Sequence, residues 1–159
     1  DDLMKIGSDL PVCINQKTQR MQGSGEVLEE INTFPKLPIL LVNPLIEIST
    51  KTVFRMLKNK KNLPLSKYEM LFQAKKDWIN WLLLQRNDLI EPAVKVEPVI
   101  SEVLRLISKQ ISVEKVSMSG SGATCFGIFE NKHDCDLAMK RVRLERPDWW
   151  SVSTEIISI

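Results

Sequence analysis

Serines and glycines at Ser119-Gly120-Ser121-Gly122 interrupt two apolar runs at a single point of the chain. Glycines permit positive φ and let main-chain N–H groups approach a ligand. Successive N–H groups in such a turn make a concave site for an anion, with phosphate the natural guest. Val113-Glu114-Lys115-Val116 precedes the turn and Cys125-Phe126-Gly127-Ile128-Phe129 follows it, so the glycines join two strand-like segments and open no helix. That placement argues against a dinucleotide-binding fingerprint, and no Gly-Lys-Ser/Thr closes the motif as a Walker loop requires. Taken alone, the segment reads equally as a tight hairpin or as a phosphate contact.

A second cluster, Gly7-Ser8-Asp9-Leu10-Pro11, places one carboxylate directly after Gly-Ser and ahead of a proline, so Asp9 sits at a fixed turn. Gly23-Ser24-Gly25-Glu26-Val27-Leu28, Ile48-Ser49-Thr50-Lys51-Thr52-Val53-Phe54 and Asn87-Asp88-Leu89 follow, and then Ser119-Gly120-Ser121-Gly122-Ala123. In that order the five segments resemble the C-terminal part of the GHMP small-molecule kinases, and the resemblance runs from the first residues to near the end.

The resemblance implies an activity and roles. Within the family it points to the branch that moves the γ-phosphoryl group of ATP, carried as its Mg²⁺ complex, to an alcohol of a diphosphocytidyl methylerythritol in non-mevalonate isoprenoid synthesis. Asp9 matches the catalytic aspartate, acting as general base or as electrostatic orienter of the hydroxyl. Ser119, Gly120, Ser121 and Gly122 match a motif that supports the phosphate-binding loop. Thr50 matches a position facing the methylerythritol end of the substrate. Phe54, one helical turn on, matches an aromatic that stacks on cytosine, against the plainer reading of Phe54 as helix core. No protein metal site is implied. The family's ATP loop and catalytic lysine have no counterpart in these residues, so the expectation is a fragment that is inactive alone, binds neither substrate tightly, and self-associates through surface left uncovered. Residues 1–33 are then a remnant of the N-terminal domain and residues 34–159 the C-terminal domain. The competing readings are a GHMP kinase of homoserine or mevalonate type and a non-catalytic ferredoxin-like ligand-binding domain.

Composition bounds the rest. With 159 residues, 43% hydrophobic and 26% charged, the chain has the length for one sizeable core. A net charge of +2 provides no nucleic-acid footprint, and no apolar run approaches the roughly 20 residues that span a bilayer. The partners expected are therefore small molecules. Cys13, Cys125 and Cys135 are odd in number and widely spaced, with neither zinc spacing nor a disulfide framework. A reducing bacterial cytoplasm fits them. His133, the only histidine, lies in a polar turn ahead of a helix and reads as a solvated residue.

The elements that must position these residues follow from periodicity. Pro38-Ile39-Leu40-Leu41-Val42-Asn43-Pro44 reads as a strand buried on both faces. Ser49 or Thr50 caps a helix through Val53 and Phe54. Tyr68–Gln85, Glu97–Gln110 and Asp134–Leu144 carry apolar residues at helical spacing, and Trp149–Ile157 reads as a terminal strand. With strands at Val113 and Phe126 this is a β-α-α-β-β-α-β order. The fold class expected is α+β: a ferredoxin-like, four-stranded antiparallel sheet with helices on one face.

Overall fold

The structure is a computed structural model that describes residues 14, 17–23, 25, 27–59, 62–67, 72 and 74–157. They divide between Lys36 and Leu37 into two compact units, with Ile157 in the first. In that first unit β1 (Gln19–Gln22) and β2 (Val27–Glu30) pair antiparallel from Gln19–Glu30 to Gln22–Val27. Gly25 N–H closes the hairpin turn on the Gln22 carbonyl at 3.2 Å, and Lys17 meets Glu30 at 2.9 Å near the open end.

The second unit runs β3 (Leu37–Asn43), α1 (Thr50–Met56), α2 (Lys75–Leu84), α3 (Ile90–Val96), α4 (Val99–Ser108), β4 (Val113–Met118), β5 (Cys125–Phe129), α5 (Lys132–Glu145) and β6 (Trp150–Ile156). Its four strands form one antiparallel sheet in the order β4-β5-β3-β6, the sheet expected. The central strand β3 tolerates Pro38 because the ladder to β5 begins only at Ile39, so the missing N–H falls outside it. Alternation then sends Leu40 and Val42 into the core, with Cys125 and Phe129 of β5 beside them. Ile100, Val103 and Ile107 of α4 and Ala138 and Val142 of α5 cover this face and are buried. Each Val or Ile among them, removed from water, contributes about 1.5–3 kcal/mol.

The helices differ from the periodicity in three places, the first being that the one expected over 68–85 begins only at Lys75. The helix expected over 97–110 begins at Val99, because Pro98 occupies its N-cap and Glu97 caps the preceding helix. That preceding helix, α3, contains Pro92 and was not expected. Proline in a first turn costs no intrahelical bond, since those N–H groups have no helical partner. In α2, Trp78 is buried and meets Phe72 and Trp81 edge-on at 5.2 and 6.0 Å. Trp81 is half-buried and donates its indole N–H to the Ser66 carbonyl.

Candidate active site

Helix α1 presents the first two expected residues. Ser49 accepts the Thr52 N–H at 3.3 Å and so is the N-cap, which leaves the Thr50 hydroxyl free to act elsewhere. It shares a 2.8 Å hydrogen bond with the Ser121 hydroxyl, joining α1 to the glycine turn across 71 residues of sequence. Phe54 lies one helical turn on, on the side of Thr50, and is 50% exposed, whereas its neighbour Val53 is fully buried. The reading of Phe54 as helix core is thereby set aside. The ring is on the surface, where a flat ligand can reach it.

The loop between β4 and β5 is a closed turn. Ser119 N–H donates to the Thr124 carbonyl at 2.9 Å, and Gly122 N–H to the Ser119 carbonyl at 3.0 Å. Gly120 and Gly122 sit at φ +54° and +98°. Both values lie where L side chains are disfavoured, which is why the chain uses glycine twice here. A Cβ on Gly120 would meet open space, while one on Gly122 would lie 3.0 Å from Met118 Sδ and 3.3 Å from Ile100 Cδ1.

Two asparagines hold this loop from behind. Asn43 Oδ1 accepts the Leu45 N–H at 2.7 Å while its Nδ2 donates to Thr124 Oγ1 at 2.9 Å. Asn87 repeats the device: Oδ1 accepts the Leu89 N–H at 2.9 Å, and Nδ2 donates to the carbonyls of Met118 and Gly120, both at 2.8 Å. A backbone N–H can only donate, so the atom it reaches must be the amide oxygen, which settles which way each asparagine faces. In the sequence Asn87 stands in a motif with no role assigned to it, and Asn43 stands only as a strand end. Asn-Pro and Asn-Asp do signal turns of this kind. The loop atoms they grip, 33 and 81 residues away, have no local signature.

Asn87 also stands between two clefts. One, of about 430 Å³, separates the end of α1 from the start of α3 and is lined by Met56, Lys58, Asn62, Asp88 and Glu91. The other, of about 580 Å³, lies over Ile39, Phe126 and Ile128 on the sheet face opposite the core and reaches Gly120. Lys115 borders it, donating to the carbonyls of Gln85 (2.6 Å) and Leu83 (3.3 Å) where α2 ends. A cation suits a helix C-terminus, although burial lowers the Lys115 pKa. A hydrogen bond from Asn62, and then the Arg86 guanidinium at 2.8 Å, hold the Asp88 carboxyl below the usual carboxylate range. Burial pushes the Cys125 thiol up to about 12, so it is no nucleophile. His133 is exposed.

Thr50, Phe54, Ser119, Gly120, Ser121 and Gly122 thus gather at one end of the sheet, while Asp9 lies outside the described residues. Among the described residues no group of three or more His, Cys, Asp or Glu could hold a metal ion, and no helix is long and apolar enough to cross a membrane. What the site offers is neutral hydroxyls and amides on a stiff loop beside an exposed ring. Such groups orient phosphate oxygens and flat rings; they do not remove protons.

Known proteins resemble the chain in both sequence and fold. Residues 72–145 match the family described as GHMP kinases C terminal. A 4-diphosphocytidyl-2-C-methyl-D-erythritol kinase of Dinoroseobacter shibae is 42% identical over 97% of this chain and 54% of its own length. The chain spans about half the length of the curated relatives it matches. Among solved structures, a 4-(cytidine 5'-diphospho)-2C-methyl-D-erythritol kinase superposes with a TM-score of 0.72 at 21% identity, over 96% of this chain and 54% of the other. A homoserine kinase from Cytophaga hutchinsonii superposes with a TM-score of 0.56 at 15% identity, over 83% and 45%. Residues 72–145 are thus similar to the C-terminal domain of the GHMP kinases, and nearly the whole chain is similar to about half of a 4-diphosphocytidyl-2-C-methyl-D-erythritol kinase.

Proposed function

We propose that this chain is part of a kinase that transfers the γ-phosphoryl group of ATP to an alcohol of 4-diphosphocytidyl-2-C-methyl-D-erythritol, giving its 2-phosphate. The observation that carries the reading is the 42% identity, over nearly the whole chain, to a relative bearing that name. The hydrogen bond joining Thr50 to Ser121 supports it, because it ties the helix expected to face the alcohol to the loop expected to lie near the phosphate.

In this reading the substrate hydroxyl oxygen bonds to the γ-phosphorus as the bond from that phosphorus to the β–γ bridging oxygen breaks, and ADP departs. The hydroxyl proton passes to the Asp9 carboxylate, or Asp9 orients the hydroxyl and the proton leaves later with the product. ATP arrives as its Mg²⁺ complex, which is substrate and not a resident cofactor. Phe54 offers one face to the cytosine, a contact of roughly 1–3 kcal/mol that needs no hydrogen-bond partner. Residues 1–33 belong to the family's N-terminal domain and residues 34–159 to its C-terminal domain, with the ATP loop contributed by polypeptide outside this match. The site of action is a bacterial cytoplasm, in keeping with the free, buried thiols of Cys125 and Cys135.

The test joins this chain to the portion of the Dinoroseobacter shibae relative that the match leaves out, and offers Mg·ATP with the diphosphocytidyl substrate, homoserine or mevalonate. ADP release with the cytidyl substrate alone is expected. Turnover of homoserine or mevalonate in its place, or of none of the three, overturns the reading.

A further inference from the structure

We infer that Asn87 is a positioning residue for phosphoryl transfer, aiming the Ser121 amide of the glycine turn toward the phosphate; its catalytic meaning rests on the function proposed above. The geometry begins with the peptide plane. In a trans peptide the C=O and the following N–H point in opposite directions. Asn87 Nδ2 draws the carbonyls of Met118 and Gly120 to itself, each at 2.8 Å. The N–H groups of Ser119 and Ser121, on the far sides of those two planes, are therefore turned away from Asn87.

The turn itself consumes some of its donors. Ser119 N–H goes to Thr124 and Gly122 N–H to Ser119, which closes the loop. The Ser121 N–H is turned outward from the Gly120 plane that Asn87 holds, on a residue whose hydroxyl is already tied to Thr50. The Ser121 peptide is thus fixed at three points: its carbonyl side by Asn87, its side chain by Thr50 and its chain direction by the Gly122–Ser119 bond. A donor held that firmly in advance of reaction is what stabilises charge developing on a phosphoryl oxygen.

Asn87→Asp separates this role from a purely structural one. Aspartate keeps the oxygen that accepts the Leu89 N–H, so a residue that merely shaped its own turn would tolerate the change. It loses both donors to the loop. Asn87→Ala loses everything. In the joined kinase, kcat is expected to fall on the order of 10–100-fold in both variants with KM for the cytidyl substrate unchanged within about threefold. In the 159-residue chain itself, the Ser121 amide resonance should shift in both variants, while Asn87→Asp should leave the Leu89 amide as protected as in the parent. Wild-type kcat in Asn87→Asp, or an unmoved Ser121 amide, overturns the inference. A joined kinase that is inactive with Asn87 intact overturns the functional reading instead, and the Ser121 amide then decides the role of Asn87 on its own.

Discussion

Replacing each loop glycine by alanine separates backbone strain from crowding. At Gly120, φ is +54° and a new Cβ meets nothing within 4 Å, so Gly120→Ala should cost only the left-handed strain of an L residue, about 1–2 kcal/mol. Gly122 stands at φ +98°, and its new Cβ would lie 3.0 Å from Met118 Sδ and 3.3 Å from Ile100 Cδ1. Both of those residues are buried, Met118 at 2% and Ile100 at 0% exposure. The thioether can swing aside, but Ile100 is locked in the α4 face. Overpacking of this kind adds roughly 1–3 kcal/mol, giving Gly122→Ala a total of about 2–5 kcal/mol. The gap between the variants, about 2 kcal/mol, corresponds to a urea midpoint difference near 1 M at an m of about 2 kcal/mol/M. Urea titrations followed by circular dichroism and by tryptophan fluorescence measure it. Equal midpoints for the two variants would refute the argument that Gly122 is required by close approach as well as by its backbone angle.

Thr50→Val combined with Ser121→Ala in a double-mutant cycle should show a coupling of about 0.5–1.5 kcal/mol in chemical denaturation, and a coupling of zero would mean the 2.8 Å contact contributes nothing. Cys125 is buried with its thiol at about 12, so about one part in 10⁴ is thiolate at pH 8; burial also raises the pKa of buried Cys135. Mass mapping after iodoacetamide should find both unmodified in native buffer and both labelled in urea. The Arg146 guanidinium holds the Asp148 carboxyl below its ordinary value. Its contribution to stability is therefore present above the unfolded pKa of about 3.9 and is lost as pH falls through the folded one. Arg146→Met should make the melting temperature less sensitive to pH below about 4. In the joined kinase, Gly120→Val should weaken nucleotide use more than binding of the cytidyl substrate, since a β-branched residue fits a left-handed position badly and displaces the backbone; unchanged ATP kinetics would reduce the turn to a plain hairpin.

The sheet was legible because β3 announces itself as an apolar run between prolines and because the glycine turn can only be the short connection between β4 and β5. Helices α4 and α5 were legible from their apolar spacing. Helix α3 was not, since Pro92 reads as a breaker unless its place in a first turn is known. At the site, the small residues of the loop and the Thr50–Phe54 spacing were visible as types. The exposure of Phe54 was not, because an aromatic at helical spacing looks the same whether it packs inward or outward. Asn43 and Asn87 were hardest to see. Each grips its loop through an amide whose partner is brought close by the sheet, and nothing near either asparagine in the chain marks that partner.

We propose that this chain contributes working residues to phosphoryl transfer onto the cytidyl alcohol, Asp9 foremost among them. Rapid-quench single-turnover transfer from labelled ATP to 4-diphosphocytidyl-2-C-methyl-D-erythritol, measured in the joined kinase with Asp9 and with Asp9→Asn, tests it. The substitution keeps the size of the side chain and removes its charge. Phosphorylated product is expected with Asp9, and a rate lower by about 10²–10⁴ with asparagine, at unchanged stability. Transfer at the same rate in both proteins would contradict it.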